Sequence, residues 1–440
     1  MAAWLELSFP LRALIVAVAG VCAGHLANWA IARLRYEPLC LHPWTRASDD
    51  GRRAIHYLPL LGWFFRTADE TRLGRGFWIR PACVEVFVAG LWTLMLWYSC
   101  EELGLIADEL RPTLRLYEAR LNGVWDPKWL ELQSSLHANW LMWSFLSLVM
   151  VAATVVDWDE KIIPDEFTVP TTVLAHARHD VAAHGRLAVG HVRSESRTVR
   201  EMRPLDAASP NDWPSLLHGR PDAASLAIGL GIFSLWCFAL LPRTWYGRFG
   251  LRRTWRYFAA TLVRDGFWRW IAGIWLLGAP AITAVWWRGG DPWRGLFSSL
   301  IGLFAGGFTI WAVRIVGKAA LGREAMGFGD VTLMCLIGAV AGWQAVLPIF
   351  YAAPLAGLLL GVGRWVLRGD RELPYGPFLC FAALAVWFGW SPVWSYLRGP
   401  LSEWWLLPGV MLICFVLLGV LLILLRLSQR TISDSEDVPR

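Results

Sequence analysis

The chain has 440 residues, 56% of them hydrophobic, with a mean hydropathy of +0.42, 30 tryptophans and a formal net charge of +6. That is too apolar for a soluble domain. The apolar residues gather in runs of about 20, the length that crosses a bilayer, and the tryptophans suit interfacial belts. The basic residues sit in short loops between those runs, where they act as topology signals, so the positive charge does not argue for nucleic acid. The cysteines (Cys22, Cys40, Cys83, Cys100, Cys237, Cys335, Cys380 and Cys414) form no C-x-x-C pair, so neither a zinc site nor a disulfide framework is signalled.

The first apolar stretch, 11–33, is read as a retained span, with a cleaved signal peptide as the minority reading, because only Arg12 precedes its core and the apolar character continues past Ala30. Further spans are expected at 79–99 and 138–157. The loop between Leu34 and Arg80 carries Arg35, Arg46, Arg52, Arg53, Arg66, Arg72, Arg75 and Arg80, whereas the loop from Glu101 to Ala138 is rich in acids. The positive-inside rule then puts the N-terminus outside and Asp157 at the cytoplasmic end of the third span.

Residues 176–221 are polar throughout, and the next clear span is 222–242. The loop 243–265 holds Arg243, Arg248, Arg252, Arg253, Arg256 and Arg264 against Asp265, so it too should be cytoplasmic. That requires a crossing between Phe167 and Ala183, where His176, Arg178, His179 and Asp180 make a poor span. Three readings stay open: a marginal span stabilised by its neighbours, a re-entrant segment, or a stretch altered by a reading-frame error. Later spans are expected at 267–288, 294–317, 345–367, 375–396 and 404–427, with a shorter one at 331–344 directly after Asp330. If the crossing exists, Asp330, Arg364, Arg368, Arg371, Arg426 and Arg430 all return to the cytoplasmic side, and both aspartates share one face. The expected fold is an all-α polytopic membrane protein, a multi-span bundle of about ten or eleven transmembrane helices.

Asp157 and Asp330 carry the chemistry. A carboxylate at a membrane boundary is unfavourable unless it is solvated, paired or used. Two of them held close cannot both ionise readily and would share a proton. The ionised member can take a proton from water as it attacks a peptide carbonyl, while the protonated member polarises that carbonyl and later serves the leaving amine. No metal is required. Gly327 and Gly329 would let backbone or substrate approach Asp330, Pro164 would stop the helix beyond Asp157, and Asp165 lies beside it. Asp159, Glu160 and Glu166 form an acidic rim that could attract a basic peptide, although a solvated charged face is the blander reading. An aspartate at a span end is more often a solvated cap, and a lone G-x-G-D is weak. A transporter with a proton-relay aspartate is the alternative from another class.

Three stretches then resemble the type IV prepilin peptidases, leader peptidases of the A24 type: Asp157-x-Asp159-x-x-x-Ile163-Pro164-Asp165-x-Phe167-Thr168-Val169-Pro170, Gly322-Arg323-Glu324-Ala325-Met326-Gly327-Phe328-Gly329-Asp330, and Leu373-Pro374-Tyr375-Gly376-Pro377-Phe378. Nearer the start, Gly24-His25-Leu26-Ala27-Asn28, His56-Tyr57-Leu58-Pro59-Leu60-Leu61-Gly62-Trp63 and Arg80-Pro81-x-x-Val84-Glu85 keep the same order. The resemblance implies a G-x-G-D aspartic protease with Asp157 and Asp330 as its catalytic pair. It implies prepilins or pseudopilins of pilus or type II secretion systems as substrates, cut after a short basic leader at the cytoplasmic face of a bacterial inner membrane. It implies no cofactor for proteolysis. It also leaves open methylation of the new N-terminus with S-adenosylmethionine, and a catalytically weakened homologue kept for methylation or assembly. The expected organisation is an N-terminal region, 1–100, associated with any methyl transfer; a peptidase domain, 138–396, with the polar insert 176–221 and an extra hairpin at 222–288; and an added span and tail, 404–440. The family's usual pairs of cysteines before and after the Leu58-Pro59 element are missing, so structural zinc is not expected there.

Overall fold

The computed structural model describes residues 1–35, 58–65, 74–106, 108, 111–118, 120–121, 124–177, 187–194, 197–213, 222–241, 251–266, 268–322, 326–368, 374–403 and 405–436. Most of the basic loop before Arg80, Cys40, Arg243, Arg248, Arg323 to Ala325 and Arg371 lie outside these residues.

In lipid every backbone N–H and C=O must be satisfied within the chain, so long apolar runs become helices. The main ones are α1 (Phe9–Arg35), α2 (Ile79–Leu96), α3 (Pro127–Glu160), α4 (Asp165–Ala177), α5 (Ala223–Ala239), α6 (Leu251–Asp265), α7 (Trp268–Arg288), α8 (Gly290–Leu321), α9 (Phe328–Ala341), α10 (Trp343–Arg368), α11 (Gly376–Phe388), α12 (Trp390–Ser402) and α13 (Leu406–Glu436). Among the described residues five helices are long and apolar enough to cross a membrane, or six if the bent pair α11–α12 counts as one span. Shorter apolar helices lie within α5, α9, α10 and α13. This is the architecture of an all-α polytopic membrane protein, and the expected ten to eleven crossings depend on the shorter helices as well as the long ones.

One expectation is corrected. The span 375–396 is not one straight helix: α11 and α12 meet at Gly389 and diverge by 89°. Within the polar insert, whose structure the sequence leaves open, Leu187–Ser194 (β1) pairs antiparallel with Arg197–Pro204 (β2), in register from Leu187 opposite Pro204 to Ser194 opposite Arg197. Val189, Val192, Thr198 and Val199 give this stretch the β-branched content that suits a strand. A smaller hairpin pairs Arg120–Leu121 with Val124–Trp125.

Contacts near the helix ends fix the direction of each pass. Arg12 pairs with Glu101 at 2.8 Å where α1 begins, and Asn28 donates to the Pro81 carbonyl at 2.9 Å near its end, so α1 and α2 are antiparallel. Arg80 joins Asp159 at 2.6 Å, bringing the start of α2 to the end of α3. Asp165 and Thr332 join the starts of α4 and α9. At the other end of those two helices, Ser299 on α8 meets both His176 of α4 and the Ala339 carbonyl of α9. The segment after the hairpin is held at that second end: the Ala207 N–H donates to Ser298 Oγ, Trp343 Nε1 to the Ala207 carbonyl, and Gln344 Nε2 to the carbonyls of Asp206 and Ser209. The short helix α4 therefore runs the length of α9, away from Asp330. Of the three readings of this region, the marginal span stabilised by its neighbours is the one this path supports.

Candidate active site

Asp157 lies in the last turn of α3. That helix starts with Asp126 accepting from the Lys128 N–H and with a proline in its first turn, a standard entry, and runs 34 residues or about 50 Å. It stops because Lys161 turns into the left-handed region (φ 57°), with its N–H bonded to the Asp157 carbonyl. Residues 162–164 follow outside any regular element, and the last of them, Pro164, sits immediately before α4. So the break precedes Pro164, which fixes where the next helix begins and is not what ends α3.

The Asp157 side chain is 5% exposed, and its Oδ2 accepts from the Gly376 N–H at 3.1 Å. Gly376 opens α11, so this N–H is one of the helix's orphan donors, directed at an anion. Only glycine fits here. A Cβ would come within 2.6 Å of Asp157 Oδ2 and 2.8 Å of Ile163 Cδ1.

Asp330 lies in the first turn of α9, whose N-cap is Gly327, and is 7% exposed. Its carboxylate reaches back to accept from the Gly327 N–H, the reciprocal half of a capping box. The positive end of the helix favours a negative charge at this position. The carboxyl groups of Asp157 and Asp330 are close enough to act on one another electrostatically. Two aspartates far apart in sequence are thus buried together at one end of the bundle.

Ile163, 5% exposed, closes the gap between the two supports. Its Cδ1 faces Gly376, and its backbone runs so near Gly329 that a Cβ there would lie 2.7 Å from Ile163 Cβ and 2.8 Å from its carbonyl oxygen. Gly329 is therefore required by packing. At Gly327 a Cβ would meet Asp330 Oδ2 at 3.6 Å and the Gly329 nitrogen at 4.0 Å, both ordinary contacts, so its neighbours do not impose the glycine. Asp165, at the start of α4, meets the start of α9. Its Oδ1 accepts from Thr332 Oγ1 at 3.1 Å, which holds the start of α4 against α9.

The acidic rim divides. Asp159 is in an ion pair with Arg80, whereas Glu160 and Glu166 are exposed. Sequence reasoning assigned no site role to Gly376, Ile163, Thr332, Tyr375 or Arg80. For Tyr375 and Gly376 the signal was present in Pro374-Tyr375-Gly376-Pro377, a turn opening an apolar run. Tyr375, whose phenol lies within electrostatic reach of Asp330, stands beside the pair. Cys380, one turn into α11, bonds to Thr154 and lies within electrostatic reach of both aspartates. Among the described residues no group of three or more His, Cys, Asp or Glu could hold a metal ion.

Residues 258–362 match the sequence model of the type IV leader peptidase family, a segment that holds Asp330 but not Asp157. Curated proteins named prepilin leader peptidase/N-methyltransferase are similar over part of the chain. The one from Aeromonas hydrophila is 34% identical over 90 residues, covering 20% of this chain and 31% of that protein. The one from Burkholderia pseudomallei strain K96243 is 35% identical over 112 residues, 24% of this chain and 36% of that protein. The one from Pseudomonas aeruginosa is 32% identical over 121 residues, 24% of this chain and 42% of that protein. The chain thus spans 31% to 42% of the length of these three curated relatives. No solved structure matches it.

Proposed function

We propose that this chain, a relative of the type IV leader peptidases through its matched segment, is a membrane-embedded aspartic endopeptidase that removes the leader from type IV prepilins or pseudopilins. The observation that carries the reading is the burial of Asp157 and Asp330 side by side at one end of the bundle, each with one oxygen held by a backbone N–H. The relatives' names and the matched segment support the substrate class.

In this mechanism the pair holds one proton. Water lies between the carboxyls, the ionised one takes its proton, and the oxygen attacks the scissile carbonyl. The protonated partner polarises that carbonyl and then supplies the proton that the leaving amine needs. Burial keeps bulk water from levelling the two carboxyls, and the Gly376 and Gly327 N–H groups fix their orientation. The face is taken to be cytoplasmic, from the basic loops that precede Arg80. Glu160 and Glu166, with Asp159, would give a basic leader an acidic rim. Neutralising the three together should raise KM for native substrate, and unchanged cleavage would remove that role.

The relatives' names also support methylation of the new N-terminus. The N-terminal helix pair holds one buried carboxylate, Glu85, but its oxygens already accept from Leu60, Trp63, His25 and Asn28. Those bonds engage it, so among the described residues of this helix pair it offers a sulfonium cofactor no free carboxylate.

Co-expression with a prepilin, read by mass spectrometry, tests the proposal. Wild type should release the leader, and Asp157→Asn and Asp330→Asn should each reduce release by at least about a hundredfold. The same spectra record any methyl group on the new N-terminus. Cleavage by both variants at the wild-type rate would end the aspartate mechanism.

A further inference from the structure

Arg80, in the first turn of α2, grips the turn of α3 that carries Asp157. Its Nη1 lies 2.6 Å from Asp159 Oδ2, and its Nη2 donates to the Val155 carbonyl at 3.3 Å. These anchors are two residues after and two residues before Asp157. The Arg80 side chain is 48% exposed, and a pair of that kind adds little to folding. What it supplies is geometry. A planar guanidinium fork that meets two acceptors on one helix turn fixes that turn's rotation and height. Asp157 needs both, because its Oδ2 must stay on the Gly376 N–H while its carboxyl faces Asp330.

Arg80 also stands on a braced stem. Glu85, about one turn further along α2, is 0% exposed. One of its oxygens accepts from the Leu60 N–H at 2.6 Å; the other accepts from Trp63 Nε1 at 2.8 Å, His25 Nδ1 at 2.8 Å and Asn28 Nδ2 at 3.2 Å. At Gly24 the backbones of α1 and α2 are so close that a Cβ would lie 2.7 Å from Glu85 Cα. Segment 58–65, α1 and the start of α2 therefore form one unit, and Arg80 links it to the end of α3.

We propose that Arg80 is a positioning residue for Asp157, through which the braced α1–α2 unit sets the geometry of the aspartate pair. The inference rests on the proposed activity of that pair, so the test carries a readout that needs no substrate. Thr154 and Cys380 are side-chain partners between α3 and α11. In a Thr154→Cys protein, copper-phenanthroline oxidation should therefore cross-link position 154 to Cys380, read by peptide mass spectrometry. Adding Arg80→Ala should lower that yield at least about twofold while the protein stays folded in detergent. An unchanged yield would overturn the proposal.

With prepilin as substrate, Arg80→Ala should lower kcat about tenfold, since small displacements of a reacting group carry penalties of that order or more. KM and the pH profile should stay within about twofold of wild type. Arg80→Lys, a point charge without the fork, should recover only part of the loss. Adding Asp159→Asn to Arg80→Ala should cost nothing further in kcat, because for positioning the two act as one unit. A loss confined to KM would make Arg80 a substrate-binding group and overturn the positioning role. So would kcat within about twofold of wild type. If Asp157→Asn cleaves as wild type does, the reading of the pair fails, and the cross-link still decides whether Arg80 sets α3.

Discussion

At the residue scale the site depends on two glycines for different contacts of the same isoleucine. Gly376 lets Asp157 reach a backbone donor, and Gly329 lets the Ile163 backbone lie against α9. Gly376→Ala would drive a methyl group into Asp157 Oδ2 and displace the carboxylate. It should lower kcat/KM by about a hundredfold with the helices still folded, measured as leader release against circular dichroism. The pair also sets the pH behaviour. Buried like charges resist ionising together, so the active form holds one proton. The rate should fall when low pH protonates both carboxyls and again when high pH strips both, giving a bell-shaped profile that belongs to the pair and not to either residue alone.

At the element scale the aspartates are held in place by how closely α8 and α9 pack. Helices in lipid gain no hydrophobic drive from meeting, so small residues that allow backbone contact matter most. A Cβ on Gly302 would run into the Gly338 carbonyl, one on Gly306 into the Met334 carbonyl, and one on Gly338 into the Gly302 carbonyl. Gly302→Leu or Gly306→Leu should push α9 outward, destabilise the protein by about 1–3 kcal/mol or more, and lower its melting temperature in detergent. The N-terminal pair depends instead on one buried charge. Glu85→Ala would leave the His25, Asn28, Trp63 and Leu60 donors without their acceptor and should cost about 3–5 kcal/mol in the same assay, with Glu85→Gln costing less. Much of this level was legible in sequence. The long apolar runs marked α1, α3, α8 and α10, because a span must satisfy its own backbone and length alone betrays it. The break at Gly389 and the hairpin at 187–204 were not legible: the first lies inside a continuous apolar run, and the second lies in a stretch whose polarity hid its alternation. Asp157 and Asp330 could be named as candidates from their local settings. Their supports, Gly376 and Ile163, reach them only when α11 and α4 arrive beside them, which is a tertiary event that spacing along the chain does not encode.

At the scale of the whole molecule, the meeting of the two aspartates rests on the path of α4. That helix has 13 residues, about 20 Å, too short to cross a hydrocarbon core of about 30 Å by itself. To serve as a pass it needs partners for its polar groups inside the bundle, and two are there: Thr332 for Asp165 at one end, and Ser299 for His176 at the other. The segment carrying Asp206 and Ser209 then caps the end opposite Asp330 through Gln344 and Trp343. Glu166 and Asn211, both exposed, should therefore lie on opposite sides of the membrane. Single Glu166→Cys and Asn211→Cys variants, each compared with the parent chain, would be treated in intact cells with a membrane-impermeant maleimide. Asn211→Cys should label at once, and Glu166→Cys only after the cells are opened, if the aspartate end faces the cytoplasm. The opposite order would keep the crossing and reverse the orientation. Equal labelling of both would remove the α4 crossing, and with it the parity that brings the C-terminal helices back to the Asp157 side.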